Sequence, residues 1–161
     1  MKKYIFVFST VIAFTFGTFT NAYSAEKISG SAWVLDGDTI DLYITKEQKE
    51  RIRFQGIDAP EKSQNCLDNS GNSYPCGENA KWKLINMIDK QKVTCDYSSK
   101  GKYGRIIGTC YANGVNLNKF MVSHGYAMSY YEDTYKSEEQ NAKSQKLGFW
   151  DGVFEDPSKH R

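Results

Sequence analysis

Asp36, Asp38, Asp41, Asp58 and Glu61 cluster within 26 residues. They are interleaved with Arg51 and Arg53 in the stretches "DGDT" and "RIRFQGIDAPE". Asp38 is placed to open one strand and Asp58 to close another. If those strands are neighbours, the two carboxylates meet at one end of a sheet. Two carboxylates and a backbone carbonyl form a hard, all-oxygen donor set suited to Ca²⁺ or Mg²⁺. Arg53 and Arg105, the latter in "KYGR", can grip a phosphate bidentately and stay charged at any working pH. Tyr103, Tyr130 and Tyr131 can stack on bases. Each group also has a plainer reading. Asp36-Gly37 and Asp58-Ala59-Pro60 suit turns, the arginines suit surface ion pairs, and the tyrosines suit a rim or core.

Other chemistries are excluded. His124 and His160 are the two histidines, and His124 sits beside Gly125 where a helix C-terminal cap is expected. No G-x-S-x-G elbow, P-loop or dinucleotide fingerprint occurs. The four cysteines, Cys66, Cys76, Cys95 and Cys110, include no CxxC pair, which argues against a zinc site or a redox motif.

The elements that must position these residues follow from periodicity. Residues 28–35, 38–44 and 49–57 alternate apolar and polar side chains, as a three-stranded meander does. Ala80, Leu84, Ile85 and Ile88 recur at helical spacing, predicting a helix over 78–89. Strands are expected near 91–97 and 104–112. Asn116 can cap a short helix ending before Gly125, and Ser137, with Glu138 and Glu139, marks another helix start that Gly148 stops. Three strands, a helix, two strands and two helices make an α+β, mainly β chain. The simplest closure is a five-stranded OB-fold barrel with about three helices packed on it.

The 161 residues suit one domain. The chain opens with Lys2 and Lys3, an apolar run and a small-residue site at "AYS", the pattern of a signal peptide cleaved after Ser24. Residues 25–161 are then the mature, exported domain, periplasmic or secreted, with no membrane span. Removing Lys2 and Lys3 from 21 basic side chains leaves 19, equal to the 19 acidic ones. A polyanionic partner therefore requires a local basic patch. An exported chain with four cysteines is expected to form two disulfides. Of three pairings, Cys66–Cys76 with Cys95–Cys110 is preferred, because the second pair lies symmetrically about a turn near Lys102 and Tyr103.

The ordered set "VLDGDTIDL", "RIRFQGIDAPE", "KYGR", "NKFMVSHGYA" and "AKSQKLGFW" resembles the staphylococcal (micrococcal) nuclease family, the thermonucleases. The likeness runs from about residue 28 to Trp150. The loop between Cys66 and Cys76 and the tail "GFWDGVF" look like the exported Gram-negative branch. The resemblance implies a monomeric OB-fold phosphodiesterase that uses Ca²⁺ and cuts DNA and RNA to 3′-phosphate ends. It implies Asp38, Asp58 and the carbonyl of Ala59 as calcium ligands. Glu61 is implied to orient or deprotonate water, and Arg53 and Arg105 to bind the reacting phosphate. Lys102, Tyr103, Tyr130 and Tyr131 are implied to contact the substrate. Gly101 departs from the acid that many relatives carry there. Two other readings are a non-catalytic OB-fold module that binds single-stranded nucleic acid or a protein, and a disulfide-stapled envelope protein. The first predicts loss of one or more of Asp38, Arg53, Asp58, Glu61 and Arg105, and the second gives the arginines no role.

Overall fold

Alternation decides the barrel. In the computed structural model, which describes residues 26–101, 103–131 and 133–160, five strands carry it: β1 (Glu26–Val34), β2 (Thr39–Tyr43), β3 (Lys49–Phe54), β4 (Lys92–Lys100) and β5 (Ile106–Ala112). They are hydrogen-bonded in the order β3-β2-β1-β4-β5. A parallel pairing of β3 with β5, Ile52 opposite Ile106 through Phe54 opposite Gly108, closes the ring. Closure leaves no open edge. Every second residue of β5, from Ile106 to Ala112, points inward and is buried. Val34, Ile40, Leu42, Ile52, Phe54 and Val93 fill the interior with them.

Helix α1 (Cys76–Ile88) buries Ala80, Leu84 and Ile88, one face at four-residue spacing. Helix α2 (Leu117–Ser123) begins where Asn116 accepts from the Lys119 amide, at 2.9 Å, the expected N-cap. His124 ends it, with its ring Nδ1 2.9 Å from the Phe120 carbonyl. Helix α3 (Lys136–Ser144) starts one residue before Ser137, whose hydroxyl donates to Glu138 rather than capping the helix. A single 3₁₀ turn, Asp133–Tyr135, leads into α3 and replaces the expected cap. The helix ends at Ser144, ahead of Gly148, which opens a second 3₁₀ turn. A fourth helix, α4 (Pro157–His160), is one turn long. Among the described residues no helix is long and apolar enough to cross a membrane. The signal-peptide expectation lies on residues outside those described.

Both disulfides pair as expected, Cys66–Cys76 and Cys95–Cys110. Cys95 faces Cys110 directly across β4 and β5. The first disulfide seeds a small second core. Phe149 is buried against it, with Tyr74, Met128, Trp150 and Phe154 around it. The backbone of Val153 exchanges hydrogen bonds with Leu67, at 2.8 and 3.0 Å. The tail "GFWDGVF" thus closes over the 61–76 loop.

Candidate active site

The "DGDT" turn follows β1, and its geometry is set by close packing. A Cβ at Gly37 would lie 2.7 Å from the Cβ of Ala59 and 2.9 Å from that of Ala80. A larger residue would therefore push α1 off the turn. Asp38 is buried, at 1% exposure. It accepts from the Thr39 hydroxyl at 2.9 Å and from the Ala59 amide at 2.7 Å. Its own amide donates to Asp36 at 3.0 Å.

Asp58 is equally buried. Its strand, Ile57–Asp58, is not a neighbour of β2. It pairs with Met128–Ser129, which corrects the adjacent-strand expectation. The carboxylates meet nonetheless, through Arg53. One guanidinium nitrogen pairs with Asp38 Oδ1, and the other lies 2.6 Å from Asp58 Oδ1. The turn between Arg53 and Asp58 is pinned by Asn118, a buried residue of α2. Its Nδ2 donates to the Gln55 carbonyl at 2.9 Å and its Oδ1 accepts from the Cys110 amide at 3.0 Å. Glu139 on α3 accepts from the Ser129 amide at 3.3 Å, which holds the strand beside Asp58.

Arg53 forms the foot of a cleft of about 980 Å³. Asp36, Glu61, Arg105 and the three tyrosines 103, 130 and 131 line it. Arg105 lies 5.8 Å from the Tyr103 ring centroid, and the turn 101–105 is closed by Gly101 donating to the Arg105 carbonyl at 2.7 Å. Tyr130 and Tyr131 touch edge to face. Tyr131 is 92% exposed and left-handed in backbone, with φ 64°. Lys102 lies outside the described residues.

Glu61 comes from the loop after Asp58, and three contacts fix its backbone. Its amide donates to the Gln64 side chain at 3.1 Å, and its carbonyl accepts from the Gln64 amide at 2.8 Å. That carbonyl also abuts Gly77, where an added Cβ would be 1.7 Å away. Gln64, fully buried, donates from Nε2 to the Glu155 carbonyl at 2.7 Å. The site therefore gathers Asp38, Arg53, Asp58, Glu61 and Arg105, the set marked from sequence. Asp36, Gln64, Asn118 and Glu139 belong to its support. Asp36 was legible as a member of the acidic cluster. The others carry little local signal, because these contacts reach residues 8 to 91 positions away in sequence.

The charge balance shows what this pocket can hold. Asp36, Asp38 and Asp58 share Arg53 as the nearest guanidinium. Burial pushes the Asp36 carboxyl above its ordinary range, against the pull of Arg53 and of the Thr39 hydrogen bond. Asp36, Asp38, Asp58 and Glu61 against Arg53 and Arg105 leave an excess of negative charge. The all-oxygen donors fit a hard divalent cation in both charge and ligand type. No group of three or more His, Cys, Asp or Glu forms a ready cage among the described residues. Arg53 spans the two carboxylates instead.

The profile described as "Staphylococcal nuclease homologue" matches residues 51–152. The chain belongs to the staphylococcal nuclease homologue family. Among its relatives, the Succinoglycan biosynthesis protein ExoI of Rhizobium meliloti (strain 1021) is 36% identical over 135 residues, covering 81% of this chain and 68% of its own. An uncharacterized endonuclease of Escherichia coli is 34% identical over 127 residues, covering 73% and 72%. Endonuclease YncB of Bacillus subtilis (strain 168) is 29% identical over 129 residues, covering 72% and 58%. The protein is a nuclease, a hydrolase of phosphodiester bonds, and its barrel is the family's OB-fold. The binding-module and envelope readings give way to it.

Proposed function

We propose that this nuclease hydrolyses both DNA and RNA with Ca²⁺, leaves 3′-phosphate ends, and works as a monomer in the periplasm or outside the cell. The observation that carries the reading is the pair of buried carboxylates bridged by Arg53 at the foot of a tyrosine-lined cleft. Asp38, Asp58 and the carbonyl of Ala59 are the residues to hold the cation. When bound, Ca²⁺ supplies Lewis-acid and templating chemistry at the phosphate.

The chain's own residues do the rest. Arg53 and Arg105 bind the reacting phosphate and stabilise the charge that grows on it. Arg53, which bridges Asp38 and Asp58, carries a planar fork that can meet a phosphate bidentately. Glu61 orients the attacking water in line with the leaving 5′-oxygen and accepts its proton. Because an external water attacks, no 2′-hydroxyl is required, which supports action on both DNA and RNA. Lys102, Tyr103, Tyr130 and Tyr131 contact the flanking nucleotides, the tyrosines by stacking. Export rests on the leader pattern of residues 1–24 and on two disulfides, which persist in oxidising compartments.

The test is a nuclease gel with DNA and RNA after chelator treatment. Cleavage of both should return with Ca²⁺ and return poorly with Mg²⁺, which demands a near-ideal octahedron that this donor set does not offer. End-labelling should show 3′-phosphates. Full activity with Mg²⁺ as the sole added metal, or 2′,3′-cyclic ends, contradicts the proposal.

A further inference from the structure

We propose that a second track for single-stranded nucleic acid leads out of the cleft across the outer face of β3, β2 and β1 and ends on Trp33 and Trp82. The inference rests on the nuclease reading and extends it to the part of the strand that is not being cut.

Register defines the track. Arg51 lies opposite Asp41, and Asp41 opposite Trp33. Directly opposed residues share a face, so Arg51, Asp41 and Trp33 form one outward row. Lys49, Tyr43 and Ser31 form the next. From β3 to β1 is two strand spacings, about 10 Å, a reach of a few nucleotides. At the cleft end, a shallow depression is lined by Tyr103, Arg105, Arg51, Lys49 and Asp41. It shares Tyr103 and Arg105 with the cleft itself. At the far end, a groove of about 450 Å³ runs between β1 and α1. Trp33, Val34, Lys81, Trp82, Ile85 and Lys90 line it, with no acidic residue among its lining.

Two features identify the occupant. Trp33 and Trp82 are 65% and 57% exposed, an arrangement that leaves two indole faces in water beside lysines. Aromatic faces alternating with cations are what a single strand recognises, bases on rings and phosphates on ammonium groups. Charge agrees. Asp41 is the acid of the track, shared by Lys49 at 2.6 Å and Arg51 at 2.8 Å. Lys81, Lys90 and Arg105 add to that excess of positive charge. A mature chain with 19 acids and 19 bases holds a polyanion only through such a local patch. A protein partner would fit the apolar groove but gives no reason for the cationic rows that run from it, through Asp41 and Tyr43, to Arg51 and Lys49 beside the cleft.

The test compares oligothymidylates of about 4 and about 16 nucleotides, the extremes covered by one OB-fold. Affinity is measured in chelator for the wild type, for the W33A/W82A variant and for the K81E/K90E variant, with folding checked by circular dichroism. The track predicts that the wild type binds the long oligonucleotide more tightly. It predicts that W33A/W82A loses about tenfold or more on the long one and little on the short one. K81E/K90E should also show a shallower salt dependence with the long one. Cleavage of the short oligonucleotide with Ca²⁺ should stay at the wild-type rate in both variants. Equal affinity of the wild type for both lengths, or equal losses on both in the variants, overturns the track. A wild type that binds in this length-dependent way but never cuts refutes the proposed function instead.

Discussion

Gln64 holds the backbone of Glu61 from outside the cleft lining. Its side chain is 1% exposed and makes two hydrogen bonds, accepting from the Glu61 amide at 3.1 Å and donating to the Glu155 carbonyl at 2.7 Å. Gln64→Ala leaves the backbone bonds of the loop intact but strands both partners. Both bonds are part-buried and each orphaned group costs up to about 3 kcal/mol, so the pair costs up to about 6 kcal/mol before any water enters the hole. That is a large part of a total stability of about 5–15 kcal/mol. For a chain of this size it lowers Tm by about 5–15 °C. The larger consequence is catalytic. The Glu61 amide loses its anchor to the tail, and a displacement of about 1 Å at a positioned group costs about 10²-fold in rate. The expected result is a lowered kcat with KM little changed, since Glu61 is proposed to act on water. Gln64→Met separates the causes, because it fills the same space without the hydrogen bonds and should reproduce the loss in kcat. Thermal melts and steady-state kinetics on both variants are the assay. Wild-type kcat in Gln64→Ala, or a fall in Tm accompanied only by a raised KM, would refute the positioning argument.

The Cys66–Cys76 staple acts on the same loop. C66S/C76S should lose about 3 kcal/mol by the chain-entropy account, read by denaturant titration, and should lose kcat as well, whereas a variant that loses stability alone places the staple outside the catalytic loop's control. Asp41 gives a pH-dependent prediction. The hydrogen bond from Arg51, opposed by burial and reinforced by Lys49, holds its carboxyl below the ordinary 3.8. A depressed folded pKa stabilises the protein above the unfolded value and withdraws that stabilisation as pH falls through the folded one. Asp41→Asn should therefore flatten stability below about pH 4, and an unchanged acid limb in urea melts at successive pH values would count against the ion pairs.

Much of this was legible because it is local. Alternation in residues 28–57 places β1 to β3, four-residue spacing places α1, and Asn116 announces its own helix. Cys95 and Cys110 could be paired because they sit equally far from one turn. What could not be read depends on contacts made late in the chain. Asp58 lies in a strand whose partner is Met128–Ser129, seventy residues on, and Ile57–Asp58 is too short for a periodicity of its own. Gly37 reads as a turn residue, but its necessity comes from Ala59 and Ala80 closing on it. Ser137 carries the signature of an N-cap, yet the 3₁₀ turn before it takes over the helix start. The aromatic tail reads as exposed apolar residues until Cys66, Cys76 and Phe149 are seen to share one small core. The residues proposed to do the chemistry were visible as a set because charge types are conspicuous. Their neutral supports, Gln64 and Asn118, are ordinary polar residues in sequence and become distinctive only when buried.

The most direct test of the account is Glu61→Gln in single-turnover cleavage, run beside oligonucleotide binding in chelator. The substitution keeps size and polarity and removes basicity, so the chemical step should slow by about 10²-fold or more. Affinity should hardly change, because the proposed mechanism has Glu61 act on water and not on the bound substrate. A Glu61→Gln protein that cuts at the wild-type rate, with Ca²⁺ present and both disulfides formed, would contradict the mechanism at its centre.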